Sequence, residues 1–429
     1  MNSDVDPGEI PPPSTTESSS SSPSSSSSPS SSPSSILIPG LPNEVSRIIL
    51  SMIPYAHHGR LKSISKSWKS ALSSKSFLKN LINHNRNNLI CIFPQDPSIS
   101  SPYLFDVNAV AWCPLPPMPC NPHVYGLCNF AAVPLGFHIY IIGGSHFDTR
   151  SFPINRPSSS SSMFRFNLRD FTWENRASMI SPRGSFAYAV IRSSGGDNSG
   201  NIVVAGGGSR HMLFGAAGSR IRLVERYDVV ADRWEELEPL PGFRAGCVGF
   251  LERGEREFRV VGGHSGSRTV SGVFPVDEYC RDAVVMGFED GAWREGGDMW
   301  GDRENVRAGK MVVGDDCGSP LVFMIDVNEI FRYDMSSTRW VYESSVPEKA
   351  PRGSAFGTVV VAGELYVLTH LYGDDFTEAR RSRRSKKTGS MCFQIYNPKK
   401  KAWRTRVTKS PFACHVDIKN PAVLSSICL

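Results

Sequence analysis

The sequence predicts an all-β six-bladed β-propeller, preceded by a small all-α domain and by a disordered Ser/Pro-rich N-terminal tail. Three observations on the 429 residues lead to this prediction: an octet that recurs six times, a glycine doublet that follows a short apolar strand in three of the repeats, and a helical periodicity in residues 38–80. A pattern that recurs at a long, nearly fixed interval indicates a repeated supersecondary unit rather than several unrelated domains.

All six copies of the octet end with a tryptophan. Five of them start with an aromatic residue, and the copy at 286–293 starts with Met286. The copies are FDVNAVAW (105–112), FNLRDFTW (166–173), YDVVADRW (227–234), MGFEDGAW (286–293), YDMSSTRW (333–340) and YNPKKKAW (396–403). The intervals between successive tryptophans, from Trp112 to Trp403, are 61, 61, 59, 47 and 63 residues. This spacing is too regular for unrelated core aromatics.

Each repeat is predicted to contain four short strands separated by turns. The first strand is rich in Gly and Ala, the second is apolar and ends in the glycine doublet, the third carries Tyr-Asp, and the fourth carries the tryptophan. Small residues suit an innermost strand close to a central axis, and Gly-Gly permits the positive φ needed where a strand turns into a loop. Four-stranded units repeated radially form a β-propeller.

The two ends of the repeat region complement each other. Residues 89–119 contain the later strands of a unit but no first strand, and residues 412–429 begin like a first strand and then stop. Pairing these segments would build one blade from both ends of a propeller over 88–429, and would remove an open sheet edge. Five whole units and this composite unit give six blades.

Residues 1–35 are predicted to be a disordered tail, because a segment dominated by Ser and Pro cannot bury enough apolar surface to offset the entropy of ordering. The segment lacks Lys and Arg and contains Asp4, Asp6, Glu9 and Glu17, which argues against an organelle transit peptide. No apolar run approaches the roughly 18 residues of a membrane span. We therefore expect a soluble protein of the nucleus, the cytoplasm or both, without membrane contact.

Charge and cysteine content argue against two further classes of function. The net charge of +6 divides into −4 for residues 1–35, +6 for residues 36–80 and +4 for the remainder, which is too small to favour nucleic acid as a partner. The ten cysteines include no CxxC pair. We therefore expect reduced thiols rather than a disulfide framework or a zinc site.

The glycine doublet followed by a spaced Tyr and Trp resembles the kelch repeat, and the resemblance covers about residues 88–429. It implies a propeller in which the octet is a packing element of every blade. Two units depart from the pattern, because the doublet position holds Ile325-Asp326 in the fourth and His370-Leu371 in the fifth. These two blades are identified by their Tyr and Trp positions alone.

Residues 38–80 have a helical pattern. Apolar residues recur at helical spacing after Pro42, and a second such series follows the break at Gly59. The first series is Val45, Ile48, Ile49, Met52 and Ile53. Two or three short helices make a small core, so we expect this segment to complete its core on a partner and to keep it separate from the core of the propeller.

The same segment resembles an F-box. The matching features are a Leu-Pro start, an acidic residue, an Ile-Leu pair, an Ile-Pro pair, Leu61, the sequence Ser65-Lys66-x-Trp68 and Phe77. In that family the apolar helix faces dock on the Skp-type adaptor of a cullin ubiquitin ligase. The resemblance assigns adaptor binding to Leu41, Pro42, Glu44, Ile49, Leu50, Ile53, Pro54, Leu61 and Trp68.

An F-box followed by a kelch propeller is typical of the plant F-box/kelch-repeat family, which the chain resembles as a whole. The resemblance implies a non-catalytic substrate-recognition subunit: the F-box binds the Skp-type adaptor, the propeller binds a target protein, and proximity promotes ubiquitin transfer. No catalytic residue, cofactor or metal is then required of this chain.

An arginine precedes the first strand in four successive units, and radial symmetry places the four around one mouth of the central channel. These residues are Arg183, Arg244, Arg307 and Arg352. Two interpretations are open. Each arginine donates to carbonyls of a neighbouring loop and ties blades together, or the four form a rim that binds an acidic or phosphorylated segment of the target.

Two other classes of function are compatible with a kelch propeller. One is a scaffold protein without a role in ubiquitin transfer. The other is an oxidase with copper bound by Tyr and His, since His146, His264 and His370 lie at or just after second-strand ends. The absence of HxH and HxxxH spacings makes the metal enzyme the weaker alternative.

A basic run, ARRSRRSKKTG, occupies residues 379–389 in the fifth unit. A run of this kind in a long loop is often only solvated surface. Six bases within eight residues also fit a nuclear-import signal.

Overall fold

The computed structural model describes residues 36–78, 88–94, 101–119, 125–148, 158–193, 199–208, 220–270, 274–301, 307–316, 318–347, 355–371, 389–412 and 422–428. The predicted N-terminal tail lies outside these residues. The basic run from Ala379 to Lys387 also lies outside them, as does Arg352.

Residues 36–78 form the helical segment, which confirms the prediction of a small all-α domain before the propeller. Its elements are α1 (Asn43–Ser51), a 3₁₀ turn (Tyr55–His57), α2 (His58–Leu61) and α3 (Lys66–Ser73). Pro42 immediately precedes α1 with a φ of −57°, the value that its ring favours. Ser65 caps α3, because its side-chain oxygen accepts a hydrogen bond from the backbone N–H of Trp68 at 3.1 Å.

Six four-stranded antiparallel sheets form the blades, and the prediction of a six-bladed propeller is confirmed. The sixth blade contains β1 (Asn88–Phe93), β2 (Tyr103–Asp106), β3 (Ala111–Pro114) and β29 (Val423–Cys428). Blade 1 contains β5 (Ala131–Leu135), β6 (His138–Ile142), β9 (Met163–Asn167) and β10 (Thr172–Arg176). Blade 2 contains β11 (Ala187–Arg192), β12 (Gly200–Ala205), β13 (Val224–Asp228) and β14 (Arg233–Leu237).

The remaining blades have the same order of strands. Blade 3 contains β15 (Val248–Glu252), β16 (Glu257–Val261), β19 (Asp282–Gly287) and β20 (Trp293–Asp298). Blade 4 contains β21 (Lys310–Asp316), β22 (Ser319–Asp326), β23 (Glu329–Asp334) and β24 (Arg339–Ser345). Blade 5 contains β25 (Ala355–Val361), β26 (Glu364–Leu371), β27 (Ser390–Asn397) and β28 (Ala402–Lys409).

The first strands of the six blades contact one another in a closed ring around the central axis. In the sixth blade, β29 supplies the first strand and pairs with β1 from Asn88–Cys428 to Phe93–Val423. This sheet therefore joins the first and the last strand of the propeller in chain order. Closing the ring in this way leaves no blade with an unmatched neighbour.

The octet is a cross-strand pair repeated in every blade. Tyr227 on β13 lies directly opposite Trp234 on β14, with their rings 5.0 Å apart. The first and last residues of the other five octets are also directly opposed. The indole N–H of Trp234 donates to the carbonyl of Ala177 in the preceding connection at 2.8 Å, so the octet also joins one blade to the next.

The glycine doublets lie where neighbouring blades come closest. Gly143 and Gly144 have φ values of 61° and 104°, and the N–H of Gly144 donates to the carbonyl of Arg183 at 2.8 Å. A Cβ on Gly143 would stand 2.4 Å from that carbonyl oxygen. Both the backbone conformation and the close approach therefore require glycine at this position.

The connections on the two faces of the propeller differ in length. The turn face carries the connections from first to second and from third to fourth strands, such as residues 136–137 and 168–171. The loop face carries the connections from second to third strands, which include residues 262–281 in blade 3, and the links to the next blade. Two small sheets outside the blades arise from these loop-face connections.

The first small sheet contains β4 (Tyr125–Cys128), β7 (Ser145–Asp148) and β8 (Ser158–Ser159), and the second contains β17 (His264–Val270) and β18 (Phe274–Tyr279). Tyr125–Cys128, which precedes the first strand of blade 1 in the chain, therefore belongs to a separate sheet. It pairs with β7. The repeat signal could not reveal these sheets, because each occurs in one unit only.

The helical segment and the propeller share one hydrophobic core. Leu50 and Leu72 of the helical segment are fully buried in the same cluster as Leu89 of β1, Leu104 of β2 and Ile139 of β6. The expectation of separate cores is therefore wrong. The helical segment does complete its small core on another unit, but that unit is formed by blades 1 and 6 of its own chain.

Candidate functional site

The helix α1 turns an apolar stripe towards solvent. Val45, Ile48, Ile49 and Met52 follow the spacing of one helix face, and Ile48 and Met52 are 61% and 73% exposed. Ser46 and Leu50 are the buried residues of this helix. The helix therefore makes few contacts with its own chain and presents its larger apolar face outward.

Three further large hydrophobic residues of the helical segment are exposed, and we name the seven together the apolar patch. The patch consists of Ile36, Leu41, Val45, Ile48, Ile49, Met52 and Ile64. These seven are nearly half of the fifteen large hydrophobic residues that are exposed in the described part of the chain, although the helical segment is a small part of it. A concentration of exposed apolar side chains of this kind marks an interaction surface.

The nine residues that the sequence assigned to adaptor binding occupy three environments. Leu41, Pro42, Glu44 and Ile49 are exposed, Leu50 is fully buried, and Ile53, Pro54, Leu61 and Trp68 are half-buried. Ile53, Leu61 and Trp68 pack against the shared core, so their side chains also support the fold. The indole N–H of Trp68 donates to the carbonyl of Leu37 at 2.7 Å and holds α3 beside the start of the patch.

Sequence reasoning did not assign Ile36, Val45, Ile48, Met52 or Ile64 to the site. The periodicity of Val45, Ile48 and Met52 indicates a helix but does not by itself indicate an interaction surface. A helical period shows that one face is apolar and does not show whether that face meets the core or a second protein.

The apolar patch is fixed to the propeller through a junction with residues 168–171, the turn between β9 and β10. The hydroxyl of Tyr55 donates to the carbonyl of Leu168 at 2.5 Å, and the hydroxyl of Ser73 donates to the carbonyl of Arg169 at 3.0 Å. The ammonium of Lys62 also donates to the carbonyl of Arg169. Three side chains of the helical segment thus satisfy carbonyls of one turn.

Phe171 is the apolar centre of this junction. Its ring stacks on Tyr55 at 6.2 Å, lies 4.9 Å below the ammonium of Lys62 and approaches Gly59 so closely that a Cβ there would be 3.2 Å away. Burial lowers the pKa of Lys62 to about 8 and raises the pKa of Tyr55 well above its ordinary value. These contacts hold the apolar patch on the turn face, opposite the long connections.

Two of the four arginines of the predicted rim are buried. The guanidinium of Arg183 donates to the carbonyls of Gly206 and Leu223 and pairs with Glu225, whose side chain is also fully buried. The guanidinium of Arg244 donates to the carbonyls of Gly262 and Asp282 and pairs with the carboxylate of Asp282. Both side chains bind carbonyls and a carboxylate within one blade, the blade that follows them in the chain, so they differ from the first interpretation in tying parts of one blade together rather than one blade to another.

The other two arginines differ from this pair. The side chain of Arg307 is 44% exposed and makes ion pairs with Asp326 at 3.3 Å and Glu329 at 3.5 Å, while Arg352 lies outside the described residues. The prediction that four accessible guanidinium groups form a binding rim is therefore wrong for Arg183 and Arg244. Their donors are already satisfied by carbonyls and a carboxylate. A target-binding role stays a prediction for Arg307 and Arg352.

The loop face offers other features that a target could contact. The small sheets β4–β7–β8 and β17–β18 arise on blades 1 and 3, on either side of blade 2. Ile180 and Phe243, in the links before and after blade 2, are each 51% exposed. Apolar anchors between two small sheets are a suitable arrangement for protein recognition.

The histidines that raised the possibility of a metal site have other contacts. The ring of His264 packs edge-on against Tyr279 at 5.6 Å, and the Nε2 atom of His370 is 2.9 Å from the hydroxyl oxygen of Ser410. Among the described residues, no group of three or more His, Cys, Asp or Glu side chains could hold a metal ion.

The helices of the described residues are all too short or too polar to cross a bilayer.

Comparison with known proteins adds two family models and several relatives. The F-box domain model matches residues 38–80, and the Kelch motif model matches residues 126–180. The F-box/kelch-repeat protein OR23 of Arabidopsis thaliana is 51% identical over 90% of this chain and 90% of its own length. The F-box/kelch-repeat protein SKIP30 of the same plant is 27% identical over 51% of this chain and 59% of its own length.

A further likeness covers a smaller part of the chain. Kelch-like protein 15 of Danio rerio is 27% identical over 36% of this chain and 21% of its own length. The likeness over almost the full chain is therefore to proteins that combine both units.

Proposed function

Because the chain belongs to the plant F-box/kelch-repeat family, we propose that it is a substrate-recognition subunit of a Skp-cullin-F-box ubiquitin ligase. In this proposal the apolar patch binds the Skp-type adaptor and the loop face of the propeller binds the target protein. The chain contributes binding and orientation, and the ubiquitin-conjugating enzyme supplies the chemistry.

The single observation that carries the proposal is the outward apolar stripe of α1. A helix that packs only Ser46 and Leu50 against its own chain, and exposes Val45, Ile48 and Met52 to water, gains little from folding in this orientation. Burial of those side chains in a second protein would supply the missing apolar contact. At roughly 25 cal/mol per Å² of apolar area, such side chains are suitable anchors of an interface.

The arrangement of the two faces supports the second half of the proposal. The helical segment occupies the turn face through the β9–β10 turn, whereas the long and varied connections lie on the loop face. Binding specificity in repeat folds resides in such connections. One chain can therefore hold an adaptor and a target at the same time without competition between them.

The experiment is capture of a recombinant plant Skp-type adaptor by the purified full chain. Ile48→Asp and Met52→Asp are expected to abolish capture while leaving the melting temperature within about 2 °C, because both side chains are exposed. The matched control is Val230→Asp, which changes a 77% exposed valine in the β13–β14 turn of blade 2. Equal capture by the parent and the α1 variants would refute adaptor binding through the patch.

A scaffold protein without a role in ubiquitin transfer is the second candidate. It would use the loop face in the same way but would leave the apolar patch free of the adaptor. If the parent chain captures no adaptor, this candidate replaces the first.

A further inference from the structure

Blade 5 differs from the other blades in the charge of its outer hairpin. The outer hairpins of blades 1 to 4 combine bases with acids, as in the pairs Arg165–Glu174 and Arg226–Glu235. The hairpin of β27 and β28, residues 390–409, contains six bases and no Asp or Glu. The bases are Lys399, Lys400, Lys401, Arg404, Arg406 and Lys409. Positive charge is therefore concentrated on one hairpin of a chain whose net charge is only +6.

Three of these bases lie around one carboxylate. The guanidinium of Arg404 donates to both carboxylate oxygens of Glu364 on β26, at 2.5 and 2.6 Å. These hydrogen bonds, with a smaller contribution from the charge of Lys400, lower the pKa of Glu364. Burial and the negative charge of Glu364 raise the pKa of Tyr366, and the charges of Arg404 and Arg406 oppose that rise. The three bases are therefore close enough to act on the same two side chains of β26.

The cluster lies at the turn end of β28, next to blade 6. The guanidinium of Arg406 donates to the carbonyl of Val107, in the β2–β3 turn of blade 6, at 2.6 Å. Lys400 and Lys401 belong to the turn between β27 and β28, which is on the turn face. We name Lys400, Lys401, Arg404 and Arg406 the basic corner.

The basic corner has an excess of positive charge. Glu364 balances only one of the four bases, through its ion pair with Arg404. Lys400 and Lys401 are exposed and form no ion pair with any residue of the described ranges. Asp106, the acid of the facing blade 6 turn, is buried and accepts hydrogen bonds from backbone N–H groups of its own turn. The corner therefore favours an acidic occupant.

The acidic segment of this chain begins close to that corner. Residues 1–35, which lie outside the described residues, contain four acids and no Lys or Arg. They precede Ile36 at the start of the helical segment, whose 3₁₀ turn contacts β2 and β3 of blade 6. The 18 residues between Glu17 and Ile36 are mostly Ser, and a flexible linker of that length spans roughly 20–25 Å on average. A four-stranded blade is about 15 Å across, so blade 5 is within reach of the acids.

We propose that the acidic N-terminal segment, residues 4–17, docks on the basic corner of its own chain. The contact holds this segment on the turn face, beside the helical segment. Because both partners belong to one chain, the effective concentration of the segment at the corner is on the order of millimolar, and weak ion pairs are sufficient for occupancy. The contact does not depend on the Skp-type adaptor and is measured without it.

The test compares two full-length chains, the parent and a tail variant that carries Asp4→Asn, Asp6→Asn, Glu9→Gln and Glu17→Gln. The probe is a fluorescent peptide with the sequence of residues 2–18, and its binding is measured by anisotropy at about 0.05 M and about 0.5 M NaCl. We expect the peptide to bind the tail variant roughly fivefold more tightly than the parent, because the tail of the parent competes for the corner. Binding should be lost at high salt.

The corner itself is tested in the tail variant. Adding Lys400→Gln/Lys401→Gln, which changes two exposed side chains, is expected to weaken peptide binding roughly three- to tenfold at low salt. The matched control is Arg233→Gln/Arg256→Gln, which removes two exposed bases from the turn-face ends of blades 2 and 3 and leaves the same net charge. Equal weakening by both changes would mean that only total charge matters and would overturn the proposal.

Melting curves check that each variant is folded. If Lys400→Gln/Lys401→Gln unfolds the chain, Lys401→Gln alone is measured, and unchanged peptide binding overturns the proposal. No binding to the tail variant, or equal binding to the tail variant and the parent, would show that the N-terminal segment does not occupy the corner.

A basic surface also attracts nucleic acid. A short DNA duplex is therefore measured with the same chains. Duplex binding that Lys400→Gln/Lys401→Gln abolishes, in the absence of peptide binding, would assign the corner to nucleic acid and overturn the proposal.

Discussion

Tyr55 provides the sharpest test of the junction between the helical segment and the propeller. Its side chain is fully buried in the shared core, its ring stacks on Phe171, and its hydroxyl satisfies the carbonyl of Leu168. Tyr55→Phe keeps the ring and leaves that carbonyl without its donor, which costs about 1–3 kcal/mol. Tyr55→Ala also opens a cavity, and large aromatic truncations cost about 3–5 kcal/mol. The larger value is a substantial fraction of the roughly 5–15 kcal/mol that stabilises a folded domain.

The assay is urea denaturation of the full chain, together with hydrogen exchange of individual amides. Because the core is continuous, we expect Tyr55→Ala to lower amide protection in β6 and β9 of blade 1 as well as in α1 and α3. Tyr342→Phe is the matched control, since Tyr342 is 54% exposed and its hydroxyl forms an exposed hydrogen bond with that of Ser345. Its expected effect is below about 0.5 kcal/mol. Reduced protection confined to the helical segment would refute the continuous core.

Three further predictions concern single features of the chain. Arg183→Ala is expected to destabilise the propeller by about 3–5 kcal/mol, because it leaves buried Glu225 without its cation. Arg307→Ala removes an exposed ion pair and should cost less than about 1 kcal/mol. Thermal or urea unfolding measures both, and equal effects would contradict the burial of Arg183. Burial lowers the pKa of Lys62 to about 8. Between about pH 8 and 10.5 the unfolded chain therefore holds one more proton than the folded chain, so the stability of the parent should rise with pH across that window and that of Lys62→Met should not. Parallel pH profiles of the two proteins in denaturation experiments would contradict this. Changing the six bases of residues 380–387 to Ala is expected to reduce nuclear accumulation of a tagged protein, and imaging that finds no change would remove the import signal.

The propeller could be predicted from the sequence because its signal is local. Tyr227 and Trp234 face each other across a short turn, so their spacing in the chain is fixed by the register of two adjacent strands. The signal of Gly206 and Gly207 is also local, because their positive φ values leave few alternatives to glycine. Each such constraint is repeated in several blades, which made the period visible.

The properties of the candidate site were harder to predict because they depend on distant contacts. The charged partner of the Arg183 guanidinium is Glu225, which lies 42 residues further along the chain. The repeat pattern showed where Arg183 recurs but not whether its donors were already satisfied. Likewise, the apolar period of α1 is the same for a buried and an exposed helix, and only the packing of Leu50 against blades 1 and 6 decides which face remains open.

If the chain acts in a ubiquitin ligase as proposed, the attachment of the helical segment to the turn of residues 168–171 has a geometric consequence. Three hydrogen bonds and a shared core fix the helical segment to the propeller, so the apolar patch and the loop face keep a constant distance and angle to each other. A target held on the loop face would then meet the conjugating enzyme from one direction only. The flexibility of the target would then determine which of its lysines reach the conjugating enzyme. A long or flexible target could be modified at several positions, and a compact target at few.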